Sequence, residues 1–136
     1  MTEVPWIDAM EGQDFLSLDA WDGPTFRALL DTAYALKRDW KEGIRPRPLE
    51  HVTLAMIFEK QSLRTRSTFD IAMFQLGGHS VLLSQNFIGV GVRESIKDVA
   101  KNLERWVDGI MARTYGHRTL TDLARFAEVP VINGLS

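Results

Sequence analysis

Cysteine is absent from the 136 residues, which removes disulfides, thiolate catalysis and cysteine-ligated metal from consideration. A chain without thiols suits a reducing compartment, and a cytoplasmic protein is expected. A strong charge of either sign is also lacking. Sixteen Lys and Arg face eighteen Asp and Glu, for a formal net charge of −2, so the basic excess usual in nucleic-acid binders is missing. No apolar run approaches the roughly 18–20 residues of a membrane span. The opening Met1-Thr2-Glu3-Val4-Pro5-Trp6 has neither the basic nor the apolar region of a signal peptide. Internal repeats and low-complexity tracts are missing too. What is present is 45% hydrophobic and 25% charged residues, enough apolar material for the core of one globular domain spanning residues 1–136.

The stretch that organises the chain is Ser62-Leu63-Arg64-Thr65-Arg66. The uniformly apolar run 53–58 before it is too short for a surface helix and reads as a buried parallel strand. After it, Phe69, Ala72, Met73 and Leu76 fall at helical spacing, and Gly77-Gly78 marks the stop. The order is strand, turn, hydroxyl-and-arginine cluster, helix. A helix N-terminus offers unpaired N–H groups and the positive end of a dipole, so the cluster reads either as an anion site or as a capped helix with solvated arginines.

The rest of the chain favours the first reading. Residues 1–20 form an irregular or short helical lead-in containing Trp6, Met10, Phe15 and Leu16. Asp22-Gly23-Pro24 opens a helix over 24–41, with Phe26, Leu29, Leu30, Ala33, Leu36 and Trp40 as its apolar stripe. A second strand is expected at 80–83 and a glycine-containing loop at 84–93. A helix capped by Ser95 and Asp98 follows, with Ile96, Val99, Ala100 and Leu103 on its stripe. The third strand lies within 107–112, with Arg113 at its end. Thr119 and Asp122 cap another helix, and a fourth strand covers 129–133. Strands alternating with amphipathic helices predict an α/β fold: a parallel four-stranded sheet with helices on both faces. Ligands of such sheets bind beyond the carboxyl ends of the strands. Ser62–Thr65, the 84–93 loop, Arg113–His117 and Gly134–Ser136 all fall on that edge.

The residues also resemble a known family. Phe58-Glu59-Lys60, Ser62, Arg64-Thr65-Arg66 and Phe69 are similar to the carbamoyl-phosphate motif of the aspartate/ornithine carbamoyltransferases. Four further blocks, 75–79, 94–98, 108–114 and 130–136, resemble the ornithine branch, in order and with family-like spacing. The resemblance implies a Rossmann-like carbamoyl-phosphate-binding domain and a transferase reaction of arginine metabolism. The δ-amine of ornithine attacks the carbonyl carbon of carbamoyl phosphate, a tetrahedral species forms, and phosphate departs to leave citrulline. It implies no metal and no organic cofactor. Ser62, the Leu63 N–H, Arg64 and Thr65 match the phosphate-binding positions. Arg113 matches the arginine that bridges phosphate and carbonyl oxygen, as a guanidinium fork suits, so Arg113 and Thr65 stand as the catalytic pair. Arg66 is expected to be structural, paired with Asp70 one turn on. Gly89 matches the position of a loop that reaches a neighbouring subunit, in line with a homotrimer; Gln85, Asn86 or Arg93 are candidates to act in its place. Leu135 lies in the ornithine vicinity. His117 is expected at the site rim rather than as a general base, and His51 and His79 as structural or exposed.

Three departures from the family pattern bear on function. Leu63 stands where the family usually has threonine, which removes one hydroxyl contact, worth roughly 0.5–1.5 kcal/mol where made. Gly89 cannot donate a side-chain hydrogen bond. The family's pattern continues beyond Gly134-Leu135-Ser136 into a histidine-proline-x-glutamine motif and a second, amino-acid-binding domain, so ornithine is expected to depend on parts not in this sequence, and residues 1–136 alone are not expected to turn over. Two alternatives stay open: a carbamoyltransferase for aspartate or acylated ornithine, and a non-catalytic phosphate-binding or oligomerisation module. Convergence of Arg113 with Ser62–Thr65 separates the second from an enzyme site. The sequence following Ser136 separates the first from ornithine.

Overall fold

The structure, a computed structural model, describes residues 7–136, and of Phe87 and Ile88 only the backbone. Trp6 lies outside the described residues. A 3-10 turn at Asp8–Met10 is followed by α1 (Gly23–Lys41), β1 (Thr53–Phe58), α2 (Leu63–Gln75), β2 (His79–Ser84), α3 (Gln85–Ile88), α4 (Ile96–Leu103), β3 (Gly109–Arg113), α5 (His117–Phe126) and β4 (Val131–Asn133). The four strands are parallel in the order β2-β1-β3-β4. The expected α/β sheet with helices on both faces is what forms.

Alternation along the strands sends side chains to two cores. Ala55, Ile57, Ile110, Ala112 and Val131 face α4 and α5, where Val99, Ala100, Leu103, Leu120 and Leu123 complete one cluster. Leu54, Met56, Phe58 and Met111 face the other side, where Met73 of α2 joins them with Phe69 packed against the cluster. Both central strands are therefore buried on both faces, which is why β1 reads as a continuous apolar run.

Several boundaries differ from the sequence reading. The lead-in is not merely irregular. Phe15 pairs with Ile132: its N–H donates to Val131 O (2.8 Å) and its carbonyl accepts from Asn133 N–H (2.8 Å), which covers the outer edge of β4. The expected loop at 84–93 begins with a helical turn, because β2 extends through Ser84 and Gln85–Ile88 coil before Gly89 turns left-handed (φ 57°). Thr119 caps nothing. Helix α5 starts three residues earlier with Gly116 as its N-cap, because the chain leaving Arg113 reverses direction at once and Thr119 N–H already bonds Gly116 O (3.2 Å). The Arg66–Asp70 pair does not form either: Asp70 accepts the Ser80 hydroxyl and ties α2 to β2. Helix α1 begins as expected, with Asp22 accepting from Thr25 N–H (2.8 Å), yet its apolar stripe is at most half-buried: Phe26, Leu29 and Leu36 in part, Leu30, Ala33 and Trp40 exposed.

Gly78 sits where α2 turns back into β2, and the chain passes close on three sides. An added Cβ would lie 2.6 Å from Met73 Cε, 2.9 Å from Val52 O and 3.1 Å from Leu49 O. Two of these neighbours are backbone and cannot give way cheaply. Gly78→Ala is expected to lower stability by about 1–3 kcal/mol, measured by denaturant unfolding; an unchanged midpoint would contradict this packing.

Candidate functional site at the carboxyl edge of the sheet

Phe58 ends β1 opposite both Ser84 of β2 and Arg113 of β3. The ladder continues one step, Glu59 N–H donating to Arg113 O at 2.9 Å, before the chain swings out. Ser62 is extended (φ −158°, ψ 107°) and caps α2, its Oγ accepting from Thr65 N–H at 3.3 Å. Serine serves because its short side chain reaches the second or third free N–H of a helix. No acidic residue occupies the first turn of α2. Arg64 and Arg66 stand there instead, exposed, and neither joins an ion pair among the described residues. Cations at the positive end of a helix dipole repel it, and an anion relieves both.

Arg113 comes to the same place by strand alternation. Ile110 and Ala112 point toward α4 and α5, Met111 toward α2, and Arg113 shares Met111's side. Its Nη1 donates to Thr65 Oγ1 at 2.8 Å, while its Nε is buried with no partner. The guanidinium thus lies against the helix start with donors to spare. A planar fork with free N–H groups beside a helix N-terminus can hold a phosphate or a carbonyl oxygen.

The other residues singled out in the sequence divide. Leu63 lies in the first turn of α2 with its side chain 82% exposed, so it brings its backbone N–H to the cluster and no packing. Leu135 follows β4 with φ 99°, a strained value for leucine, held by Leu135 N–H to Asn133 Oδ1 (2.8 Å) and Gly134 N–H to Ala112 O (2.8 Å). Leu135 and Thr65 line an open cavity of about 370 Å³ together with Phe15–Leu18, Phe69, Asn133 and Gly134. Gly89 is buried under Arg93, whose Cγ would be 2.7 Å from an added Cβ; the 84–93 segment follows the outer strand β2, and β1 stands between β2 and the strand that carries Arg113. His117 opens α5, exposed, with Nδ1 2.7 Å from Ser136 Oγ. His51 and His79 are exposed.

Two contributors escaped the sequence. One is the wall Phe15–Leu18, which no periodicity marked. The other is Asn133, whose Nδ2 donates to Leu16 O (2.8 Å) and so fixes that wall to β4. The alternation of Phe15 and Leu16 with Ser17 is too brief to announce an edge pairing.

Fold and edge together define an α/β domain whose carboxyl sheet edge gathers Arg113 and the arginines of a helix start. The sequence pattern described as "Aspartate/ornithine carbamoyltransferase, carbamoyl-P binding domain" matches residues 13–136, and the chain belongs to that family. It is 52% identical over 128 residues to the ornithine carbamoyltransferase of Deinococcus radiodurans, covering 93% of this chain and 41% of that protein. The solved ornithine carbamoyltransferase from Pyrococcus furiosus superposes with a TM-score of 0.90 at 46% identity, covering 92% of this chain and 40% of the other. An aspartate transcarbamoylase from Trypanosoma cruzi, solved with carbamoyl phosphate, gives a TM-score of 0.91 at 24% identity over 100% of this chain and 44% of that one, which shows the shared fold. The chain spans about two fifths of the length of the relatives it matches.

Ser62→Ala is expected to lower stability by about 1 kcal/mol through loss of the cap, while Ser62→Asp keeps it. Leu63→Ala should stay within about 0.5 kcal/mol. Thermal unfolding of the three variants checks this, and an unaffected Ser62→Ala would remove the capping role.

Proposed function

We propose that residues 1–136 form the carbamoyl-phosphate-binding domain of an ornithine carbamoyltransferase. The observation that carries the reading is the meeting of Arg113 with Thr65 at 2.8 Å, with Arg113 Nε left unpartnered beside a helix start that carries arginines instead of acids. Ser62, Arg64, Thr65 and the Leu63 N–H hold the phosphate. Arg113 spans the phosphate and the carbonyl oxygen, where negative charge builds as the amine adds to the carbonyl carbon. Expulsion of phosphate then completes transfer of the carbamoyl group to ornithine, giving citrulline. No metal or organic cofactor enters this scheme.

Ornithine rather than aspartate is favoured by relatives of that name at 45–52% identity, among them those of Deinococcus radiodurans and Pyrococcus abyssi. Leu135 lines the same cavity as Thr65, and we assign it to the acceptor side. Residues 1–136 supply the phosphate half of the proposed site, and the other acceptor ligands of the scheme are not among the residues named. Assembly as a trimer is supported by apolar surface on α2 and the edge strand: Phe74 is 79% exposed, Ile71 52%, and Val81 and Leu82 face outward in part. In that assembly the loop around Gly89 would approach a neighbour's site. A cytoplasmic location is part of this proposal.

Titration of the chain with inorganic phosphate and with carbamoyl phosphate tests the site. Arg64→Ala is expected to weaken both by roughly tenfold or more, as loss of a hydrogen bond to a charged group does. Binding unchanged in the variant would sink the assignment.

A further inference from the structure

We infer that Glu59 is a positioning residue for Arg113, an assignment that rests on the phosphate-site reading above. Glu59 grips the segment that carries Arg113 at two points. Its backbone N–H donates to Arg113 O at 2.9 Å, and its carboxylate Oε2 accepts from Tyr115 N–H at 2.7 Å. Between these points Thr114 is fully buried, with its hydroxyl donating to Gly116 O at 2.9 Å. The segment leaves the sheet at Arg113 and enters α5 at His117, so only three residues make the turn. A backbone this short and this close to the arginine sets where the guanidinium goes. The backbone contact of Glu59 is available to any residue except proline, whereas the contact to Tyr115 belongs to the side chain.

Charge alone makes Glu59 an odd neighbour. It stands three residues before Ser62, and a carboxylate there opposes an anion by Coulomb repulsion. Its contribution must therefore come through the hydrogen bond, in the opposite direction to its charge. That opposition makes the role separable. Removing the charge while keeping an acceptor should leave anion binding unchanged or tighter. Removing the acceptor should weaken it even though a repulsive charge has gone. Lys60, next in sequence, lies over the Tyr115 ring at 5.3 Å and holds the same residue from its side-chain end.

The test uses the chain with Glu59→Gln, Glu59→Asp and Glu59→Ala, each alone and the last also combined with Arg113→Ala. Two quantities are read: nitrogen-15 relaxation of the Arg113 Nε–H without ligand, and the dissociation constant for inorganic phosphate. Glu59→Ala is expected to loosen Arg113 Nε–H and weaken phosphate roughly tenfold. Glu59→Gln should hold both within about twofold. Glu59→Asp, one methylene shorter but still charged, should fall between, which guards against a Glu59→Ala that fails to fold. In the Arg113→Ala background Glu59→Ala should cost nothing further, because the effect runs through Arg113. An Arg113 Nε–H equally ordered in Glu59→Ala, or an equal loss of affinity with and without Arg113, overturns the inference. Failure of the parent chain to bind phosphate would instead overturn the phosphate-site reading, and the relaxation comparison would still decide the role of Glu59.

Discussion

The register of the parallel sheet is the constraint on which the rest depends. Phe58 stands opposite Ser84 and Arg113, and Ala112 opposite Asn133, so all four strands release their chains along one edge. Register also fixes direction. Ala112 is wholly buried toward α4 and α5, and Met111 is wholly buried toward α2. A slip of one residue would exchange these faces and turn Arg113 away from Thr65. The apolar cores on the two faces thus set the heading of a guanidinium that belongs to neither of them.

Helix starts show how differently two N-termini are used. Asp22 caps α1, and its hydrogen bonds from Thr25 hold the carboxyl below its ordinary range. That is the usual way to complement a helix dipole, with negative charge supplied by the chain itself. α2 has a neutral serine cap and then Arg64 and Arg66, with Arg113 brought in from β3. The complement is left to be supplied from outside. On the far side of the sheet, Lys101 meets Glu104 and Glu128 in a closed network, with Glu104 also accepting Glu128 N–H. The charges there are satisfied and those at the edge are not, and the proposed binding site rests on that contrast.

Much of this was legible in the sequence. Buried parallel strands declare themselves as short apolar runs, and β1 and β3 did so. The cluster at 62–66 was visible as hydroxyls and arginines at a helix start, a pattern that fits a capped helix as well as an anion site until the sheet edge is taken into account. Topology placed Arg113 and Thr65 on one edge of the sheet, whereas their meeting at 2.8 Å had to come from the structure. The misses have physical reasons. Thr119 with Asp122 has the spacing of a cap, but a cap also needs free N–H groups, and the turn after Arg113 had already started the helix. Arg66 and Asp70 have the spacing of an ion pair, but Ser80 on the adjacent strand offered Asp70 a shorter partner. The pairing of Phe15 with β4 depends on residues 117 positions apart, such as Asp14 accepting Val131 N–H, and no local pattern carries it.

Leu63 has a consequence of another kind. Its side chain touches no core, so the fold places no demand on what stands there beyond a residue able to begin a helix. Its amide lies in the first turn of α2, where the proposed site would hold its anion. Position 63 thus carries little of the fold's stability, and in the proposed site it becomes a dial that can be turned for affinity at the phosphate end without disturbing the scaffold that holds it.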